Sequence, residues 1–469
     1  MSATRVARSA GRLRRTRPAA RHDLVEPAPD RRVRALPRVL VGLGAAAALV
    51  VAARVVGTLI GYQRLQIGHA YPLSGGLRTH LNPWFAVTVA GAVLVCAGWP
   101  WLAARLSWRW LLAVSAPVAA GWAVALAFAD GPAGLTDPLA SRFQYPYNVS
   151  RVHDLGSYLA TFNSHVVDPR NGPLWTVHTS GHPPGALGVF VLLDRVGLGG
   201  LGWAAALCIA GGALAVPSVL ATVKLLGGDS MARKAALLVP VAPVALWVAT
   251  TADALFAGVA AAGLCALAHA AARYDRRGDL LALAGGLALG CCPFLSYGLT
   301  LLAVPAIAVV VVQRRIRPLL FAGAVVALVF ALAYLDGFDW WLGLHLAEQA
   351  TRTGPIGRTM PTAWQIRPGW YFTFGNLAAL ALAVGPLTVA GLALLRRNRV
   401  AILAVAAGVA VAGAVVSDLS RGEVERIYLP FAMWLVPFAA LVPVRRDRLL
   451  VAVQLGWAVL LTAVVRTWW

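Results

Sequence analysis

Long apolar runs recur along this chain, separated by short polar breaks, and their length is the first clue to the fold. A hydrocarbon core of about 30 Å is crossed by roughly 20 apolar residues in a helix. Runs that fit lie near 39–60, 85–104, 109–129, 201–226, 235–250, 252–272, 279–295, 298–313, 317–335, 372–395, 400–417, 427–443 and 449–467. They predict an all-α polytopic membrane protein of thirteen helices. Pro240, Pro243, Pro293 and Pro305 mark places where a helix kinks or breaks. Residues 1–38, rich in Arg, Ala and Pro, read as a disordered basic cytoplasmic tail. Residues 39–108 then supply two added N-terminal helices, and 109–469 form the core, including a long loop at 130–200. The first apolar run is span-length and lacks a clear small-residue cleavage site, which argues against a signal peptide.

Composition agrees. Of 469 residues 59% are hydrophobic and 13% charged, where a soluble chain carries roughly 45–50% and 25%. The net charge is +22, yet its arginines sit in short clusters between apolar runs rather than as a patch on a soluble face. A soluble enzyme, a disordered regulator and a nucleic-acid-binding domain are excluded. Cys96, Cys208, Cys265, Cys291 and Cys292 lie in apolar runs and suggest neither a disulfide framework nor a zinc site.

Charge placement sets an expected orientation. With the tail inside, the clusters Arg105/Arg109, Lys224/Arg233/Lys234, Arg273/Arg276/Arg277, Arg314/Arg315/Arg317, Arg396/Arg397/Arg399 and Arg445/Arg446/Arg448 all fall on the cytoplasmic side. The plasma membrane is the expected location. The opposite loops, 61–84, 130–200, 336–371 and 418–426, hold seven of the nine histidines. Function is expected on that extracytoplasmic face.

The richest of these loops starts with Asp130-Gly131-Pro132 at a helix end and runs through Asp137, Tyr145, Asp154, His178 and His182-Pro183-Pro184-Gly185. Stretches 149–162 and 186–197 suit short helices along the membrane surface. A carboxylate at a helix mouth can take the proton of an acceptor hydroxyl, and Asp130 fits that place best, followed by Asp154 and Asp137. The plainer reading of Asp130 is a turn former. His178 and His182 are four apart, but Gly181 and the two prolines oppose the continuous helix that a metal pair needs. No metal is expected, and His182 reads as a rigidly placed hydrogen-bond donor. Trp175, Trp340, Trp341, Trp364, Trp370 and Tyr371 read first as an interfacial aromatic belt. Asn148-Val-Ser matches a glycosylation pattern that often arises by chance.

A long loop of this kind, ending in His-Pro-Pro and running into a short amphipathic helix, resembles the GT-C superfamily of membrane glycosyltransferases. The protein O-mannosyltransferase and lipid A aminoarabinose transferase branches are the most similar, along with multi-span envelope proteins of actinobacteria that carry His-Pro-Pro-Gly and Gly-Glu-Val-Glu-Arg elements. Asp253, opening a span, and Gly422–Pro430 agree with it, and the likeness covers roughly residues 109–445. The resemblance implies a catalytic Asp130 assisted by Asp154, and substrate contacts from Tyr145, His178, His182, Asp253, Arg421, Glu423 and Arg426. Gln144-Tyr145 stands where the family pattern suggests a further acidic residue.

An outward-facing site needs a sugar already carried across the membrane, and a polyprenyl-phosphate sugar meets that need without any cofactor. Arg367, Arg421, Arg426 and Arg358 are placed to hold its phosphate, with Glu423 and Glu425 orienting them. The plainer reading is a rim of solvated ion pairs. The acceptor is an envelope glycan, lipid or protein; membrane lipids are the other partners, and nucleic acid is not one. The rival readings are a transporter or flippase of envelope precursors and an inactive envelope scaffold. Transport predicts ionisable groups near span midpoints and internal repeats, and neither is evident.

Overall fold

The structure, a computed structural model, describes residues 29–468. In chain order its main elements are α1 (Pro29–Ile60), β1 (Gly75–Leu77), α2 (Phe85–Arg105), α3 (Trp108–Ala127), α4 (Val177–Ser180), α5 (Pro184–Arg195), α6 (Leu201–Leu238), α7 (Ala252–Ala271) and α8 (Arg276–Leu295). There follow α9 (Ala303–Val311), α10 (Arg317–Leu335), α11 (Trp340–Arg352), α12 (Gly369–Val384), α13 (Pro386–Ala393), α14 (Ala401–Val416), α15 (Val424–Ile427), α16 (Leu429–Ala432), α17 (Asp447–Val464) and β2 (Val465–Thr467).

The chain is an all-α, multi-pass membrane protein. Among the described residues eight helices are long and apolar enough to cross a bilayer, or nine if α12 and α13, bent by 104°, form one broken span. Gly385, at φ +80°, and Pro386 make that bend. Prolines also explain why other apolar runs are not single helices. The 235–250 run is the end of α6 followed by 3-10 turns at Val239–Val241 and Pro243–Trp247. The 427–443 run divides into α15, α16 and a 3-10 turn at Val436–Leu441. Pro293 and Pro305, by contrast, sit inside the regular helices α8 and α9. The expected tail falls largely on residues 1–28, outside the described residues. Its remainder is not a coil, because α1 starts at Pro29, a residue suited to a first helical turn.

Small residues let the central helices touch. A Cβ on Gly258 of α7 would stand 2.1 Å from the carbonyl oxygen of Gly211 on α6, so only glycine permits this backbone contact. It makes α7 the most enclosed candidate span, with 72% of its apolar window buried against 11% for α10. Asp253, in the first turn of α7, is thereby held inside the bundle.

All four long loops gather at one face. Ile356 N–H donates to the Val167 carbonyl at 2.8 Å and Arg367 Nη2 to the Gln66 carbonyl at 2.8 Å. Trp364 Nε1 donates to the Asp418 carbonyl at 3.0 Å. The β1–β2 pair closes that face: Gly75 lies opposite Thr467, Gly76 opposite Arg466 and Leu77 opposite Val465. Basic loops interlock as well, with Arg317 paired to Asp279 at 2.8 Å and Lys234 Nζ donating to the Val442 carbonyl at 2.5 Å.

Candidate functional site

The loop at 130–200 folds as a chain of short helical turns fixed by its own polar groups. Asn148 donates to Thr176 Oγ1 at 2.6 Å and Thr179 Oγ1 at 3.0 Å. Its carbonyl oxygen accepts from Arg151 Nη1 at 2.9 Å. Asn148 is fully buried, so the glycosylation pattern is a structural asparagine instead. These bonds hold the α4 turn that carries His178. His182 follows, and Pro184 starts α5. The expected break at Gly181-His182-Pro183 is thus present. Gly185 explains its own place in the motif: a Cβ there would lie 2.5 Å from the Phe294 carbonyl oxygen, so α5 rests directly on α8.

His178 and His182 enter an aromatic cage. The ring of Tyr145 stacks on Phe190 at 5.8 Å and meets His182 edge-on at 5.6 Å and His178 at 6.3 Å. Burial, followed by the positive charge of Arg426, pushes His178 down to about 3; burial also lowers His182. Both imidazoles are neutral at physiological pH. His182 Nδ1 lies 2.9 Å from the His178 carbonyl oxygen. A carbonyl only accepts, so that nitrogen carries the proton and Nε2 is left as an acceptor. His182 thus donates toward the backbone and offers an acceptor on its other side.

Beside the cage lies a buried ionic cluster. Arg426 Nη1 donates to Asp253 Oδ2 and Nη2 to Glu423 Oε2, each at 2.5 Å. Asp253 gains from the positive end of α7. Two carboxylates and one guanidinium leave a net charge of −1, so Arg426 is a structural counter-ion rather than a spare cation for a phosphate. Burial alone would raise Glu423, but Arg426, then His178 and Arg367, hold it below the usual carboxylate range. Arg421 is heavily engaged too. It pairs with Asp418, donates to the Trp364 and Arg367 carbonyls at 2.7 Å each, and lies over the Trp364 ring at 3.6 Å.

Two adjoining cavities open here, of about 240 and 440 Å³. Their common wall includes Val177, Thr351, Ser420 and Glu423. The smaller reaches His178, His182 and Arg426 and continues past Leu299, Leu301, Leu344, Ala414 and Phe431. The larger is lined by Arg358, Arg367 and Arg421. Arg358 is exposed and donates from Nε and Nη2 to the Met360 and Pro361 carbonyls, which leaves Nη1 available. Arg367 Nε is buried without a partner among the described residues. Glu423 is the carboxylate common to both cavities. Sequence alone did not single out Arg358 and Arg367 over Arg421 and Arg426, because Asp253 and the Trp364 and Arg367 carbonyls, which help occupy the latter, come from distant segments. Trp364 is covered by Arg421 on one side and approached by Arg352 at 4.4 Å, and Trp175 stacks on Phe162 at 5.6 Å. Neither presents an open face for a sugar ring.

Asp130 and Asp154 stand apart from this groove. Asp130 accepts from Arg78 Nη1 at 2.8 Å and Nη2 at 3.1 Å, and it lines a separate cavity of about 360 Å³ with Asp137, Arg466 and Trp468. Asp154 caps the helix Leu155–Thr161, accepting from Ser157 N–H at 2.6 Å. The structure therefore brings together Tyr145, His178, His182, Asp253, Glu423 and Arg426, and leaves the two aspartates expected to be catalytic in structural contacts elsewhere. Among the described residues no group of three or more His, Cys, Asp or Glu side chains is close enough to hold a metal ion.

No known protein-family model matches the chain, and no curated protein is found to be similar to it.

Proposed function

We propose that the protein moves a sugar from a polyprenyl-phosphate donor to a hydroxyl of an envelope glycan, lipid or protein, at the extracytoplasmic face of the plasma membrane. The observation that carries this reading is the pair of cavities meeting at Glu423, one apolar along its far wall and the other lined by arginines with unused donors. A lipid tail suits the first environment. A phosphate suits Arg358 and Arg367, whose remaining N–H groups and positive charge stabilise the leaving group.

The chemistry is a single displacement. The acceptor hydroxyl oxygen bonds to the anomeric carbon as the carbon–oxygen bond to the phosphate breaks, inverting that centre. The phosphate departs with the bonding electrons, and the hydroxyl proton passes to Glu423. Neutral His182, with Nε2 as an acceptor, orients the hydroxyl. In this reading the base is Glu423 rather than Asp130, because Asp130 lines a different cavity from the two that meet at Glu423.

The proposed topology keeps thirteen crossings with the N-terminal side cytoplasmic. The shorter apolar helices Tyr297–Val311, Ala401–Val416 and Leu429–Leu441, the bent α12–α13 pair and a division of α6 at Gly228, where φ is +83°, supply the crossings beyond the long helices. The contacts among the four long loops support their placement on one side.

The test is transfer by purified protein from radiolabelled polyprenyl-phosphate mannose or arabinose to mixed envelope acceptors. Label in the acceptor fraction that depends on Glu423 supports the reading. No transfer with either donor, together with flux of the lipid-linked sugar in proteoliposomes, replaces it with transport.

A further inference from the structure

Glu423 holds an unusual backbone position, φ +62°, in the left-handed region that disfavours a side chain. What keeps it there comes from the other end of the chain. Ser74, fully buried just ahead of β1, accepts the Glu423 N–H on its Oγ at 2.8 Å. Its own N–H donates to Glu425 Oε1 at 2.8 Å. Glu425 is 1% exposed, and its Oε2 has no partner among the described residues. One serine thus bridges two glutamates of the 418–426 loop, one facing the groove and one facing away from it.

We infer that Ser74 and Glu425 are positioning residues for Glu423, and that the strength of their hold depends on whether Glu425 carries a proton. This rests on Glu423 acting at the groove. The Ser74 hydroxyl fixes the Glu423 backbone so that its carboxylate reaches both cavities and Arg426. Glu425 grips the same serine from behind. As a neutral acid Glu425 accepts the Ser74 N–H weakly. As a carboxylate it accepts more strongly, and its negative charge makes Glu423 a better proton acceptor. Burial pushes the Glu425 carboxyl up to about 7, opposed by the N–H groups of Glu425 and Ser74 and assisted by the Glu423 charge. The other titratable and charged groups around it are few. Arg426 and Tyr428 lie on its own segment, Asp253 on α7, Tyr371 on α12, and His69 and Tyr71 in the 61–84 loop, while the turn Pro243–Trp247 carries none.

The experiment has two arms on the full-length protein in detergent. In the first, transfer is followed against pH. The wild-type kcat should rise through a step centred at about 7 with KM unchanged. Glu425→Gln should lose the step and stay at the low-pH rate. Ser74→Ala should lower kcat about tenfold, the loss expected for one hydrogen bond, and Ser74→Thr should restore it. A pH step that survives Glu425→Gln, or an unchanged kcat in Ser74→Ala, overturns the inference. The second arm needs no substrate: infrared difference spectra of wild type against Glu425→Gln report the protonated carboxyl directly. Its band should titrate near 7, and Glu423→Gln should move the midpoint to lower pH by removing a neighbouring negative charge. A midpoint unmoved by Glu423→Gln overturns the coupling even if transfer is observed. Absence of transfer with a shifted midpoint retires the glycosyltransferase reading and leaves the coupling intact.

Discussion

Asp253 and Arg426, 173 residues apart in sequence, form an ion pair at 2.5 Å in which both side chains are 6% exposed. Neither charge is stable alone in that setting, since an isolated buried ion loses its hydration. With Glu423 as the third member, the pair fixes the first turn of α7 against α15 and so sets one wall of the groove.

Removing the cation should be costly. Arg426→Ala strands two carboxylates, and a loss of about 3–5 kcal/mol is expected. Adding Asp253→Asn to it should recover part of that loss, because one of the uncompensated charges is gone. Thermal unfolding of the single and double variants in detergent checks both statements, and additive losses would contradict them.

Glu423→Gln keeps the shape of the side chain and one hydrogen-bonding oxygen for Arg426, but removes the proposed base. Transfer is expected to fall by roughly 10²–10⁴-fold, with the melting temperature little changed. Asp130→Asn should leave transfer within a few-fold of wild type. The reverse ranking in a transfer assay would return the catalytic role to Asp130.

The pH dependence of stability should show two opposed slopes. His178 has its folded value depressed to about 3 from 6.5, so its neutral form stabilises the fold fully above 6.5 and that stability is lost as pH falls. Glu425 has its folded value raised to about 7 from 4.5, so its contribution is complete below 4.5 and is lost as pH rises toward 7. Between 4.5 and 6.5 the two oppose one another. His178→Asn should therefore expose a melting temperature that falls as pH rises, and Glu425→Gln one that falls as pH drops. Each slope is at most about 1.4 kcal/mol per pH unit for a single proton. Melting curves collected across that range decide it.

Sidedness is open to direct chemistry. Met360 is 70% exposed on the loop face and Tyr274 88% exposed at a basic turn. In intact cells a membrane-impermeant maleimide should label Met360→Cys and spare Tyr274→Cys, while inverted vesicles should give the opposite. Labelling of both from one side would break the proposed alternation.

Much of the fold was legible because bilayer thickness is a strong ruler. The eight long apolar helices all coincide with runs picked by length, and the long loops expected on one face are in contact with one another. Runs containing Pro240, Pro243, Pro430 and Pro437 were harder to read: hydropathy marks their depth but not the turns that proline imposes. The site was half legible. His178, His182, Tyr145, Asp253, Glu423 and Arg426 were recognised as polar groups in suspicious places, and they meet. The pairing of Asp130 was not legible from local context, since its partner Arg78 is 52 residues earlier and is aligned by a strand pair that no short-range pattern announces. Ser74 gave no signal at all, for a single serine in a loop becomes informative only once Glu423 and Glu425 are seen against it.

The β1–β2 clasp has a consequence for biogenesis. Arg78, next to β1, donates from Nε to the Thr462 carbonyl at 2.8 Å, a contact spanning 384 residues. Until the ribosome has delivered that distant stretch and the insertion machinery has threaded α17, β1 has no strand to pair with. The clasp must therefore stay open throughout synthesis of the intervening helices, and a nascent chain stalled before α17 would carry an unpaired β1 edge.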